Sequence, residues 1–86
     1  MAPVGEQRVL DEIRTEAKAV VPGLDASGLS AETHIADAGI DSVQMLELVA
    51  RLEERFDVTL PDYELSGIQT IGDLIRLVVR VHAEAG

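Results

Sequence analysis

The residues of this chain best suited to chemistry surround Ser42, which stands where a loop gives way to an amphipathic helix. Asp41 directly precedes it, and Gly39 lets the backbone turn sharply before the helix begins. Unpaired N–H groups at a helix start favour an attached anion such as a phosphate. These features predict a hydroxyl that carries a covalent group. The alternative is that Ser42 only caps the helix.

Catalysis and metal binding find little support around the same serine. A small serine hydrolase would need His34 aimed at Ser42, and the Gly-x-Ser-x-Gly elbow of such enzymes is missing. The second histidine, His82, lies far along the chain. Asp37 and Asp41 are close in sequence but lack the carboxylate ladder of a calcium loop. We therefore expect neither an enzyme nor a metal site.

Size and composition restrict the function further. The 86 residues predict one domain spanning 1–86, with 1–5 flexible. The chain has no cysteine, which excludes disulfides and thiolate chemistry and favours the cytoplasm. Its formal charge of −9 argues against nucleic acid and anionic membranes as partners. The charge favours proteins with basic surfaces as partners, and the alternative is that it only keeps the protein in solution. We expect a monomer without a membrane-spanning segment.

Apolar spacing predicts an all-α fold, a small bundle of three main helices and one short helix. The predicted helices span 6–20, 42–56, 62–66 and 71–83. Thr70 is the expected N-cap of the last helix, with Asp73 at its third position. The inward-facing residues of the first and last helices are predicted to be Leu10, Ile13, Ala17, Val20, Ile71, Leu74, Val78 and Val81. The long connection from 23 to 41 is expected to anchor through Leu24, Leu29 and Ile35.

The second helix carries two apolar stripes, although a helix in so small a domain needs only one. The core stripe consists of Met45, Leu48, Val49, Leu52 and Phe56. The surplus stripe and its acidic border consist of Val43, Leu46, Ala50, Glu47, Glu53 and Glu54. Such a face suits a partner with an apolar notch and basic surroundings. The alternative is that Val43 and Leu46 pack under the loop. Arg51 and Arg55 are expected to pair weakly with Glu47.

The motifs in their order resemble the acyl carrier proteins and peptidyl carrier proteins. The matching segments, which extend over about 29–79, are Gly39-Ile40-Asp41-Ser42-Val43, Glu47-Leu48-Val49, Leu52-Glu53-Glu54-Arg55-Phe56, Leu60-Pro61-Asp62 and Thr70-Ile71-Gly72-Asp73-Leu74. One departure is Val43, where the family most often has leucine. Because valine is smaller than leucine, it offers partners a smaller apolar contact surface at this position.

The resemblance implies that Ser42 bears a 4′-phosphopantetheine arm through a phosphodiester, with Asp41 helping to position the transfer. A phosphopantetheinyl transferase would supply the arm from coenzyme A with magnesium, and the terminal thiol would hold the cargo as a thioester. The family's docking positions fall on Val43, Leu46, Glu47, Glu53 and Glu54. Tyr63, on the short helix, falls on the same side. Its alternative role is packing.

We therefore predict a discrete carrier that works with acyltransferase, adenylation or ketosynthase-type enzymes. Abundant Ala, Val and Arg with the single Lys18 point to a GC-rich bacterial source and to polyketide or related secondary-metabolite biosynthesis. The alternatives are a fatty acid synthesis carrier and a helical adaptor without a prosthetic group. The sequence does not distinguish malonyl, fatty and aminoacyl cargo.

Overall fold

The computed structural model describes residues 4–85, and four α-helices account for most of them. They are α1 (Glu6–Val20), α2 (Ser42–Phe56), α3 (Asp62–Leu65) and α4 (Ile71–Ala85), with a short 3₁₀ turn at Ala26–Gly28. Within 4–85 the only β pairing is one isolated bridge. This is the predicted all-α bundle of three long helices and one short helix.

Contacts between side chains fix the directions of the three long helices. Glu16 and Glu12 of α1 pair with Arg51 and Arg55 of α2 at N–O distances of 3.1 and 3.0 Å. Glu12, which comes earlier in α1, pairs with Arg55, which comes later in α2. The two helices therefore run antiparallel. At the far end of α2 the Phe56 ring lies edge-on to a histidine of the last turn of α4, so α2 and α4 run parallel. The starts of α2 and α4 therefore share one end of the bundle.

An aliphatic core lies between these helices, and most of the predicted stripes form it. The fully buried side chains include Val9 and Ile13 of α1, Leu48 and Leu52 of α2, and Leu74 of α4. The prediction of Leu10 as a core residue was wrong in detail, because Val9 is fully buried and Leu10 is half-buried. Met45 and Val81 also lie at the border of the core, half-buried. Ile75 and Leu77 are buried without having been predicted.

The long connection is attached to the start of α4 rather than left loose. Leu29 and Ile35 are buried as expected, while Leu24 is half-buried. An antiparallel bridge joins the loop to the residue before α4, and the Gly72 N–H donates to the Ala31 carbonyl over 2.8 Å. A Cβ added to Gly72 would lie 2.8 Å from that same oxygen, which is closer than van der Waals contact allows. Only glycine fits this approach of loop to helix without a shift.

The start of α4 carries the predicted cap. The Asp73 N–H donates to the Thr70 hydroxyl, and the Asp73 carboxylate accepts from the backbone N–H groups of Gln69 and Thr70. These backbone hydrogen bonds, from Gln69 first and Thr70 second, with help from Arg76, lower the pKa of Asp73 to about 2. The carboxylate is thus held in its charged form, which favours the start of a helix.

The helix boundaries agree with the sequence except at two ends, since α3 ends at Leu65 and α4 continues to Ala85. The expected flexibility of residues 1–5 lies partly outside the described residues, which begin at Val4. That side chain is half-buried against the core. Within the described range, no helix has the length and apolarity that a bilayer crossing requires.

Candidate functional site

The segment before Ser42 is folded so that α2 begins abruptly. Gly39 has a φ of 83°, a left-handed conformation that side chains disfavour, so glycine suits this position. Ile40 is then buried, and Asp41 becomes the N-cap. The Asp41 carboxylate accepts from the Gln44 N–H at 2.7 Å, while the Gln44 side-chain oxygen accepts from the Asp41 N–H at 3.0 Å. This reciprocal capping box fixes the first turn of α2.

Ser42 is therefore the first helical residue and not the cap. Its side chain is exposed, and its hydroxyl forms no hydrogen bond within residues 4–85. The backbone N–H groups of Ser42 and Val43 likewise have no acceptor in that range, because the cap serves Gln44. An accessible oxygen beside two free N–H donors is a suitable attachment point for an anionic group.

A shallow depression of about 410 Å³ opens beside Ser42. Its wall is mainly aliphatic and includes Ile35, Ile40, Met45 and Ile68. Ile40 precedes the cap and Met45 lies one turn into α2, the positions of a hydrophobic staple that sets the entry angle of the chain. The polar rim consists of His34, Gln69 and Asp41.

A hydrolytic triad is not assembled here, although His34 and Ser42 line the same depression. In the described part of the chain, the Ser42 hydroxyl donates to no histidine, and no carboxylate orients the His34 ring by a hydrogen bond. His82 lies at the opposite end of the bundle, beside Phe56. Residues 4–85 also contain no group of three or more His, Asp or Glu side chains able to hold a metal ion.

The surplus stripe of α2 faces outward, against the alternative that it packs under the loop. Val43 and Leu46 are 65% and 63% exposed, and Ala50, one turn further along α2, is exposed as well. Glu47 and Glu54 are exposed on the same face, and neither has a cation within ion-pair distance in residues 4–85. We call these five residues the α2 face. It combines apolar side chains with two carboxylates that form no ion pair within residues 4–85.

The charged residues of α2 make contacts that the sequence did not predict. Arg51 and Arg55 do not pair with Glu47, since they extend toward Glu16 and Glu12 of α1. Glu53, which stays a predicted partner-binding residue, is half-buried, and its carboxylate accepts from the Leu60 N–H at 2.7 Å. This bond holds the turn after α2. Sequence periodicity could not show this, because the bond depends on how the chain folds back after the helix.

Tyr63 lies on α3 and is 80% exposed, so the alternative of a packing role is wrong. Its neighbour Glu64 pairs with Arg80 of α4, which ties the short helix to the bundle. The ring of Tyr63 is therefore available to a partner, as the resemblance implies.

Comparisons with known proteins place the chain beside phosphopantetheine-carrying proteins. The family described as "Phosphopantetheine attachment site" matches residues 8–78. An acyl carrier protein of Clostridium acetobutylicum is 36% identical over 63 residues, covering 72% of this chain and 80% of its own. The meromycolate extension acyl carrier protein of Mycobacterium tuberculosis is 29% identical over 83 residues, covering 95% and 71%.

Solved structures give the same result. The hexanoyl acyl carrier protein of the actinorhodin polyketide synthase from Streptomyces coelicolor has a TM-score of 0.79 at 30% identity, covering 88% of this chain and 92% of its own. The acyl carrier protein of Thermotoga maritima has a TM-score of 0.85 at 25% identity, covering 94% of both chains. Helix order and packing are thus shared well beyond the motif around Ser42.

Proposed function

This chain belongs to the phosphopantetheine-binding family of acyl carrier proteins, and we propose that Ser42 is its attachment residue. The family carries a covalent 4′-phosphopantetheine, and its members are carriers rather than catalysts. The observation that carries the assignment is the Ser42 hydroxyl, exposed and free of hydrogen bonds within residues 4–85, at the first position of α2. When bound, the group supplies a thiol on which cargo is held as a thioester.

The residues around Ser42 fit such a group by separating two tasks. Asp41 and Gln44 satisfy each other, so they fix the direction of α2 without using the hydroxyl. The free N–H groups of Ser42 and Val43 remain for phosphodiester oxygens, and the positive end of the helix dipole favours that charge. Asp41 lies next to Ser42 on the surface, where a transferase and its magnesium could reach it.

The attachment is tested by incubating the protein with coenzyme A, magnesium and a transferase of broad specificity. Intact-mass measurement should show one added phosphopantetheine. Ser42→Ala should abolish the addition, whereas Ser66→Ala, a matched change at an exposed serine outside the site, should leave it complete. A protein that stays unmodified while a control carrier is fully labelled contradicts the proposal, as does labelled Ser42→Ala. The adaptor alternative predicts an unmodified mass in protein from the native host.

We further propose that the α2 face, with Tyr63, docks the transferase and the enzymes that load and unload the cargo. Acyltransferase, adenylation and ketosynthase-type partners with basic surfaces fit its chemistry. An apolar centre bordered by carboxylates provides contact area and charge complementarity together. The support is that α2 already buries one apolar face in the core. A second apolar face, formed by Val43, Leu46 and Ala50, remains exposed.

Charge reversal tests this face with the transferase as the probe. Glu47→Lys and Glu54→Lys should each lower kcat/KM for labelling, and added salt should weaken the difference from the wild type. Glu84→Lys makes the same charge change at an exposed residue near the end of α4, outside the α2 face, and should have little effect. Equal labelling rates for all three variants would show that the transferase docks on another surface of the protein.

For the pathway, we propose polyketide or related secondary-metabolite biosynthesis in a bacterial cytoplasm. The support for the pathway is the similarity to the carrier of the actinorhodin polyketide synthase, together with an amino-acid composition typical of GC-rich genomes. The support for the cytoplasm is the absence of cysteine from the sequence, which fits a reducing compartment. Fatty acid synthesis is the alternative. Mass spectrometry of the thioesters on protein from the native host decides between them, because chains that retain several unreduced keto groups favour the first pathway and fully reduced, saturated chains the second.

A further inference from the structure

The lining of the depression beside Ser42 contains few residues that can carry a charge. Of the residues that line it, Asp41 is the one acid and His34 is the one side chain able to become a cation. The Asp41 carboxylate is already engaged by the Gln44 N–H. A phosphodiester on Ser42 would add a negative charge beside Asp41, in a domain whose formal charge is already −9. His34 is the group in this lining that could offset it.

The backbone places His34 firmly while leaving its ring free. The residue pairs with Thr70 in the isolated bridge, and the next residue, Ile35, donates its N–H to the Gln69 carbonyl at 2.9 Å. The His34 carbonyl accepts from the Ala38 N–H at 3.1 Å. The side chain is exposed, and its nitrogens form no hydrogen bond within residues 4–85. A fixed backbone with an unengaged imidazole is suited to meeting a group that arrives later.

We propose that His34 is a positioning residue for the prosthetic arm, its imidazole N–H donating to a non-bridging oxygen of the phosphodiester on Ser42. This inference rests on the proposed attachment at Ser42. Charge-assisted hydrogen bonds to an anion are stronger than neutral ones, so the contact strengthens when the ring is protonated. It holds the base of the arm over the depression and lowers the repulsion between the phosphodiester and Asp41.

Three acids belong to the segments around His34 and are present both before and after modification. Asp41 lines the same depression, Asp37 follows in the same loop, and Asp73 accepts from the N–H of Thr70, the bridge partner of His34. A comparison of the apo and modified proteins therefore isolates the contribution of the phosphodiester.

The test uses the two histidines of the chain as probe and internal control. The ring protons of His34 and His82 are followed by NMR against pH, at low ionic strength, before and after modification. For unit charges about 4 Å apart in water, the separation that a hydrogen bond implies, Coulomb's law gives a rise of about 0.8 in the midpoint pH of the His34 titration. His82 lies beside Phe56 at the far end of the bundle and should not change. A His34 change no larger than that of His82 overturns the inference.

A second measurement follows the phosphodiester itself by phosphorus NMR. This group does not titrate near neutral pH, so its resonance should shift with pH only by sensing the His34 ring. The wild type should show an inflection between about pH 5 and 8, and His34→Ala should remove it. An inflection that survives in His34→Ala, or none in the wild type, refutes the contact. Failure of Ser42 to be modified would instead refute the proposed function, and mass measurement separates the two outcomes.

Discussion

Two leucines on α2 allow a sharp test of which side of that helix is core. Leu48 is fully buried, whereas Leu46 is 63% exposed. Leu48→Ala leaves a cavity and should cost about 2 to 5 kcal/mol of unfolding free energy. For 86 residues the whole stability is expected to be about 4 to 13 kcal/mol, so this single change removes a large share of it. Leu46→Ala loses little buried area and should stay within about 0.5 kcal/mol.

Thermal unfolding followed by circular dichroism measures both variants under one condition. At about 4 to 8 °C per kcal/mol for a domain of this size, Leu48→Ala should lower Tm by at least about 8 °C. Leu46→Ala should leave Tm almost unchanged but reduce kcat/KM for labelling by the transferase, because Leu46 belongs to the α2 face. Equal destabilisation of the two variants would show that Leu46 is packed, and the docking assignment would lose its basis.

Three further changes test the local structure. Asp41→Ala should cost about 1 kcal/mol by thermal unfolding and Asp41→Asn much less, because asparagine still caps a helix; equal losses would contradict the cap. For Asp73, the Gln69 N–H and other donors lower the folded-state pKa to about 2 from 3.8, so its contribution to stability is complete above about pH 4 and is lost as pH falls toward 2. The Tm difference between wild type and Asp73→Asn should therefore shrink over that interval. Gly72→Ala should lower Tm because its Cβ meets the Ala31 oxygen, and an unchanged Tm would contradict that contact.

The helices could be predicted from the sequence because their signals are local. The apolar period placed α1 and α2 where they are observed, and Thr70 with Asp73 marked the start of α4. The cap of α2 was not predicted, since it is Asp41 and not Ser42. The choice between Val9 and Leu10 failed because neighbouring helical positions differ by only about 100° around the axis. Two adjacent apolar residues then satisfy the same pattern, and only packing against the other helices decides between them.

The exposed position of Ser42 and of the surplus stripe also followed from the sequence, whereas the partners of the charged residues did not. Glu53 binds the Leu60 N–H, and Arg51 and Arg55 cross to α1. Each of these contacts joins segments whose approach depends on the whole fold. Periodicity places a charge on a helix face, but it does not reveal which charge of another element comes near.

Those contacts with α1 determine how acidic the α2 face is. α2 carries three glutamates and two arginines, so its own net charge is only −1. Because Arg51 and Arg55 form their ion pairs with α1, Glu47 and Glu54 have no ion-pair partner within residues 4–85. Replacing both α1 acids, Glu12→Gln with Glu16→Gln, should release the arginines toward the α2 face and slow labelling by a basic transferase, although no docking residue is altered.

The α1 double variant also loses two negative charges, and the effect of that loss on the labelling rate must be separated from the effect of releasing the arginines. Glu6→Gln with Glu32→Gln makes the same change in net charge at exposed residues outside both the α2 face and the ion pairs with α2. If long-range attraction alone governs docking, the two double variants should label at similar rates at low salt. If the paired arginines matter, the α1 variant should be slower, and restoring Glu16 alone should recover part of the rate. Similar rates for both double variants would therefore contradict a role of α1 in shaping the face.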